Sequence, residues 1–236
     1  MGLPIYIQIH NEIKRDIENG KWQVGDRIPS ERELSLNFGG VSRMTLRQAI
    51  QTLVDEGILE RRVGSGTYVA NQKVQEKMSG GVTSFTELML ASGKEPSSKT
   101  ISYHTMEPSL SEMEKLKIDQ DEPVLRMERI RYGDGIPICF EVATVPEKIV
   151  AGLEKNEVTS SLYRALEQKK DLRLGKAEQT VSAMLASERI AEFLDIKRGD
   201  AILRLRQISY LQDNTPFEYV RTQYVGDRFE FYLEKG

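Results

Sequence analysis

Residues 29–69 read PSERELSLNFGGVSRMTLRQAIQTLVDEGILERRVGSGTYV, and no other stretch constrains the fold as much. Ser30 is followed three residues later by Glu33, a capping box that predicts a helix starting at Glu31. That helix buries Leu34 and Phe38 and stops at Gly39-Gly40, residues that tolerate the backbone angles of a tight turn. A second helix is predicted from near Ser42 to Gly57. Leu46, Ile50, Leu53 and Val54 form its buried stripe, while Arg43, Arg47 and Gln51 repeat every four positions on an outward face. The β-prone runs 58–63 and 67–69 then flank Gly64-Ser65-Gly66 and predict a hairpin. Upstream, Ile5, Ile9, Ile13 and Ile17 fall on one stripe of a first helix over residues 4–19, ended by Gly20, with Trp22 and Val24 packed beneath it. Three helices followed by a glycine-tipped hairpin give a winged helix-turn-helix, mainly α with a β wing.

Length and charge narrow the function. At 236 residues the chain has room for about two domains, and 39% hydrophobic with 29% charged residues is ordinary for a soluble protein. No apolar run approaches the roughly 20 residues of a membrane span, and the amphipathic start is unlike a secretory signal, so a cytoplasmic protein without membrane contact is expected. Cys139 is the sole cysteine, which excludes an intramolecular disulfide and, with only His10 and His104 beside it, argues against a Cys/His metal site. No cofactor motif is present. Residues 1–70 hold nine Lys/Arg and nine Asp/Glu, so any DNA binding rests on local placement rather than bulk charge. Residues 41–51 carry two arginines and no acid, a basic reading edge on a neutral domain.

The polar, glycine-ended stretch ANQKVQEKMSGG reads as a linker, assigned to residues 71–81 with the boundary near Met78; the DNA-reading domain occupies 1–70 and a second domain 82–236. The second domain hides a repeat. The segment from Ser111 and the segment from Ser187 each open on Ser-Glu and a short helix. Each then passes through Leu-Arg and Ile-x-Tyr to a polar turn and Phe-Glu, with Leu125/Leu203, Arg126/Arg204, Ile130/Ile208 and Tyr132/Tyr210 all 78 apart. Two helix–hairpin units of one kind imply a pseudo-symmetric antiparallel sheet in an α+β domain. Leu125, Met127, Arg129 and Arg131 share one strand face, where the second copy has Gln207 and Ser209 in place of the arginines. Arginines continuing an apolar face need an anion. Folding at Gly133-Asp134-Gly135 sets Cys139 opposite Arg129 and Glu141 diagonally near it. From the residues alone, an anionic ligand and an internal salt bridge remain equally open.

PSEREL, VSRMTLRQAI, EGIL and GSGTYV resemble the GntR family of bacterial transcription regulators over the first third of the chain. By that resemblance Arg32 holds a phosphate of double-stranded DNA, Ser42, Arg43, Thr45 and Arg47 face the major groove, and Gly66 lets the wing approach the minor groove. One departure stands out: Gly39-Gly40 occupies a turn where the family usually has a single residue, which bears on how the second helix is presented. In the C-terminal part TSFTE, RIRY, SSLY and PFEY resemble the HutC subfamily. Its UTRA domain has a chorismate-lyase-like antiparallel sheet with flanking helices and binds small effectors. The resemblance is nearest to the members that sense sugar phosphates. It implies that Arg129 and Arg131 grip a phosphate with Phe85, Thr86 and Ser161, and that Glu141, Tyr163, Glu218 and Tyr224 meet sugar hydroxyls. Guanidinium forks and helix N-termini suit phosphate, carboxylates and phenols suit hydroxyls. The expectation is a homodimeric repressor on a palindromic operator. Its rivals are the same regulator sensing an organic or fatty acid, and an enzyme of chorismate-lyase type, for which no nucleophile–base set is visible. A Tyr163 that merely fills core and a Ser161 that merely caps a helix are the plainer readings of those two residues.

Overall fold

The computed structural model describes residues 3–70, 73–78 and 81–233, which divide into two compact units, 1–72 and 73–236. In the first, α1 (Ile5–Glu18), α2 (Glu31–Asn37) and α3 (Arg43–Asp55) precede the antiparallel strands β1 (Leu59–Arg62) and β2 (Gly66–Val69). Ile9, Ile13, Ile28, Leu34, Leu46, Ile50, Leu53, Leu59 and Val69 make its core, with Trp22 and Phe38 packed against it. The α1 stripe is shorter than expected: Ile5 is exposed, and so is Val24. The capping box forms in full, Ser30 N–H donating to Glu33 Oε2 (2.8 Å) and Glu33 N–H to Ser30 Oγ (3.3 Å). The added glycine leaves the turn closed. Gly39 and Gly40 both take positive φ (+72° and +79°), and their amides cap the end of α2 by donating to Leu36 O (3.2 Å) and Ser35 O (2.8 Å). Two consecutive left-handed residues would be strained in any other side chain, so the pair of glycines is what this helix ending requires.

The second unit starts with β3 (Val74–Lys77), inside the stretch expected to be linker. It runs parallel to β10 (Phe229–Tyr232) and buries Val74 and Glu76 while exposing Gln75 and Lys77. Between these strands lie α4 (Phe85–Ala91), β4 (Pro96–Met106), α5 (Leu110–Leu116), β5 (Val124–Gly133), β6 (Ile136–Pro146), α6 (Glu147–Val150), α7 (Lys155–Lys170), β7 (Leu174–Leu185), α8 (Glu188–Leu194), β8 (Ala201–Leu211) and β9 (Pro216–Val225). Six strands form one antiparallel sheet in the order β4-β5-β6-β9-β8-β7, which is the repeat written in space: β4-α5-β5-β6 and β7-α8-β8-β9 meet at the β6–β9 seam. Helices α5 and α8 keep the 78-residue offset at both ends and close on left-handed Lys117 (φ +52°) and Asp195 (φ +51°). The N-caps are Ser109 and Ser187, so the first copy opens two residues before Ser111. Leu125, Met127, Ala143, Val145 and Phe217 on one sheet face pack against Val158, Leu162, Tyr163 and Leu166 of α7. Ile130, Phe140 and Ile202 on the other face pack against Ile190, Ala191 and Leu194 of α8. Among the described residues no helix is long and apolar enough to cross a membrane.

Candidate functional site

The hairpin register differs from expectation. β5 and β6 are joined by a two-residue turn, Asp134 and Gly135, both at positive φ. A bulge between Arg131 and Tyr132 then sets Arg129 opposite Glu141 and Arg131 opposite Cys139. Both arginines are almost fully buried, at 3% and 4% exposure. Glu141 Oε1 accepts from both, pairing with Arg129 Nη2 and lying 3.3 Å from Arg131 Nη1. One carboxylate thus faces two guanidiniums. Burial pushes the Glu141 carboxyl up, but Arg129 and Arg131 outweigh it and hold the group below its ordinary range, as an anion. Burial lowers Arg129.

Around the arginines the helices present their ends. Helix α7 is interrupted at Ser161, whose backbone is extended (φ −157°, ψ 93°). The break frees carbonyls that a continuous helix would use, and Arg129 Nη1 donates to two of them, Val158 O (3.2 Å) and Thr159 O (2.7 Å). Beyond the break, Ser161, Leu162 and Tyr163 begin the second helical segment at the cavity wall. The TSFTE segment is a helix start: Ser84 and Glu87 form a capping box, and Phe85 and Thr86 are the first turn of α4. Arg131 lies 4.5 Å over the Phe85 ring, and its Nη2 is 3.4 Å from Thr86 Oγ1. Despite these contacts, the Nε–H of Arg129 and that of Arg131 are buried with no acceptor among the described residues.

Across the cavity hydroxyls and an amide surround a second carboxylate, Glu218. Tyr163 Oη donates to Glu218 Oε2 (2.6 Å), as does Ser209 Oγ (3.0 Å), and Gln207 Nε2 donates to Tyr163 Oη (3.1 Å). Burial raises Glu218 above the ordinary carboxylate range against the lowering effect of the Tyr163 bond, and burial drives Tyr163 and Tyr224 well up. Phe85, Thr86, Arg129, Arg131, Glu141, Ser161, Tyr163, Glu218 and Tyr224 all line this one cavity. Tyr163 therefore does both things, packing in the core and turning its hydroxyl to the cavity. Sequence reasoning missed Glu76, Thr83, Ser84, Gln207 and Thr222, which line it too. Gln207 was findable, since it is the repeat partner of Arg129. The enclosed space is about 60 Å³, well below the roughly 300–1,000 Å³ of ordinary ligand pockets. A neighbouring depression of about 400 Å³ shares Thr86, Arg131 and Ser161 with it.

In the first unit Arg32, Arg43 and Arg47 are exposed. Ser42 caps α3, accepting from Thr45 N–H (3.1 Å), and the two hydroxyls are 2.8 Å apart. Arg47 of α3 and Arg61 of β1 each lie 3.5 Å from Glu31. Gly66 opens β2 rather than sitting at the wing turn, which is residues 63–65. The side chain of Arg27 fills the space a Cβ on Gly66 would need, at 2.7 Å.

Two family models match: "Bacterial regulatory proteins, gntR family" over residues 5–69 and "UTRA domain" over residues 91–230. The chain belongs to the GntR family of bacterial regulators, in the HutC branch that carries a UTRA domain. It is 34% identical to the HTH-type transcriptional repressor NagR of Bacillus subtilis over 97% of this chain and 93% of that protein. To the mannosyl-D-glycerate transport/metabolism system repressor MngR of Escherichia coli it is 30% identical, over 98% of this chain and 95% of that one. Its fold matches the crystal structure of PhnF from Mycobacterium smegmatis with a TM-score of 0.77 at 29% identity, covering 97% of this chain and 99% of the other. This GntR regulator thus pairs a DNA-reading unit with a UTRA domain that holds the arginine cavity.

Proposed function

We propose that this regulator is a homodimeric repressor of carbohydrate uptake or catabolism genes whose operator binding is controlled by a small phosphorylated sugar in the UTRA cavity. One observation carries the reading: among the described residues, two buried guanidiniums share a single carboxylate and still hold two Nε–H donors without acceptors. A buried cationic donor without a partner is costly, and a phosphate supplies both the charge and the acceptors. Glu218, Tyr163, Gln207 and Tyr224 offer the mixed donors and acceptors that sugar hydroxyls need. The relatives named as repressors, one of them of a sugar-derivative transport system, support the same direction. A hexose phosphate exceeds the enclosed space, so its entry displaces part of the wall; Arg131, Thr86 and Ser161, which divide the cavity from the outer depression, are where the two spaces merge.

Thermal unfolding in the presence of hexose 6-phosphates, urocanate and a fatty acid separates the effector classes, because a ligand at 100 times its Kd adds about 2.7 kcal/mol of stability. Sugar phosphates are expected to stabilise the protein and the acids to leave it unchanged; the opposite pattern would overturn the assignment. At the reading head, Arg32, Ser42, Arg43, Thr45, Arg47 and Gly66 are assigned to DNA. Arg47→Ala is expected to lose about 1–3 kcal/mol of operator discrimination with no change in unfolding temperature, measured by titration of matched and mismatched duplexes. Unaltered discrimination removes Arg47 from the interface.

A further inference from the structure

Glu76 lines the cavity and has no role in the account above. It occupies an inward position of β3, where the alternation Val74 in, Gln75 out, Glu76 in, Lys77 out calls for an apolar side chain. At 8% exposure it is buried, and no Lys or Arg among the described residues pairs with it. Among the described residues its one side-chain hydrogen bond comes from Gln179 Nε2 at 3.4 Å, and Gln179 in turn donates to Gln207 Oε1 (2.7 Å). A carboxylate has about four acceptor sites, so most of this one's capacity is unused. Burial alone raises its pKa, and the groups that feel its charge are Tyr224 and Cys139. Of the carboxylates lining the cavity, Glu141 is the one in contact with the arginines, and Glu218 bears on Arg129 only through its charge.

The strand that bears it has a special place in the chain. The DNA-reading unit ends at residue 72, and β3 begins at Val74 as the first element after it. Among the described residues β3 pairs only with β10, through Val74↔Phe229 to Tyr232↔Lys77, and is anchored by Val74 in a cluster with Leu88, Tyr224 and Phe229. A ligand bond to Glu76 therefore acts on the one strand through which the chain passes from the reader to the sensor.

We propose that Glu76 is a further effector-binding residue, accepting a hydrogen bond from a hydroxyl or ammonium group of the sugar, and that this contact couples the effector to the DNA reader by fixing β3. The proposal rests on the phosphorylated-sugar reading of the cavity. It is tested on the full-length protein with glucosamine 6-phosphate and glucose 6-phosphate as probes and a duplex selected from random sequence as the DNA. In Glu76→Gln, probe affinity is expected to fall about tenfold or more, the scale of one charge-assisted hydrogen bond. DNA affinity without probe stays at the wild-type value, and the ratio of DNA affinities with and without saturating probe moves toward one. Glu76→Leu, which suits the inward alternation, gives the same readings if the glutamine variant folds poorly. Wild-type probe affinity and an unchanged ratio in both variants would overturn the proposal while leaving the cavity's function intact. Weakened binding with an unchanged ratio overturns the coupling. A wild-type protein that neither sugar phosphate stabilises overturns the cavity reading and this inference together.

Discussion

The two copies of the repeat share a frame and differ in charge. In the first, β5 carries Arg129 and Arg131 on the face toward α7; in the second, β8 carries Gln207 and Ser209 at the equivalent positions, equally buried. The strands of both copies belong to one sheet and meet at β6–β9, so the charged and uncharged faces border the same cavity from two sides. The repeated frame makes a symmetric cradle, and the differing side chains make it polar along its length. One end suits an anion, the other hydroxyl groups.

The most severe way to break this asymmetry is to give the first copy the side chains of the second. Arg129→Gln with Arg131→Ser leaves Glu141 buried without a cation, which costs about 3–5 kcal/mol. Adding Glu141→Gln removes the stranded charge and is expected to recover most of the unfolding temperature. Affinity for hexose 6-phosphates stays at least about 100-fold reduced in the triple variant, since two charge-assisted contacts of about 1.5–3 kcal/mol each are gone. Phosphate binding that returns with stability would show that the arginines serve the fold alone.

Much of this frame was legible from residues. Ser30/Glu33 announced α2, and the 78-residue offset announced the sheet's two halves before any strand was placed. The pairing inside the first hairpin was not. Asp134-Gly135 makes a two-residue turn because both residues take positive φ, and the Arg131/Tyr132 bulge adds one more step. Each shifts the register by one, which moves Glu141 from a diagonal position to one directly across from Arg129. The bulged segment, residues 136–140, is apolar throughout and has no alternation for the bulge to disturb, so sequence could weigh a salt bridge against a ligand and see neither that Glu141 serves both arginines nor that two Nε–H donors lack acceptors among the described residues. Likewise β3 was hidden, because a four-residue strand with polar residues at three positions carries the composition of a linker. Arg129, Arg131 and Glu141 were singled out by strand spacing and the hairpin, the other six cavity residues by resemblance; Gln207 was legible as the repeat counterpart of Arg129, and Glu76 emerged only from the fold.

A second contrast lies at the helix that opens each copy. Glu112 of α5 corresponds to Ile190 of α8. The carboxylate is buried, accepts from Arg126 Nη2 (2.6 Å), Thr144 Oγ1 (2.8 Å) and the Ser109 amide (2.8 Å), and has no analogue in the other copy. Burial pushes its pKa up, but Arg126, Ser109 and Thr144 together bring it down to about 2 from an ordinary 4.5. A depressed carboxylate contributes stability that is complete above the unfolded value and lost as pH falls through the folded one. Glu112→Gln is therefore expected to cost about 2 kcal/mol at neutral pH, a figure discounted because Arg126 is partly exposed and screened. The gap to wild type closes between pH 4.5 and pH 2, read from denaturant titrations at each pH. A gap that persists at pH 2 would mean the loss is packing and not charge.

The smallest test compares the caps themselves. Ser109 and Ser187 hold the same position, but Ser109 belongs to a reciprocal box with Glu112, whereas Ser187 accepts only the Ile190 amide, at 3.4 Å. Replacing an N-cap serine by alanine costs about 0.5–2 kcal/mol. Ser187→Ala is expected at the low end of that range and to be independent of pH, since nothing ionisable leans on it. Ser109→Ala is expected at the high end, because the Ser109 hydroxyl also donates to Glu112 Oε2 (2.7 Å) and helps keep that carboxylate ionised. Its cost should shrink in acid along with that of Glu112→Gln, and the two substitutions combined should fall short of their sum, as neighbours in one network do. Equal costs at Ser109 and Ser187 at all pH values would show that the box adds nothing to the cap, and that the two copies differ at their cavity face alone.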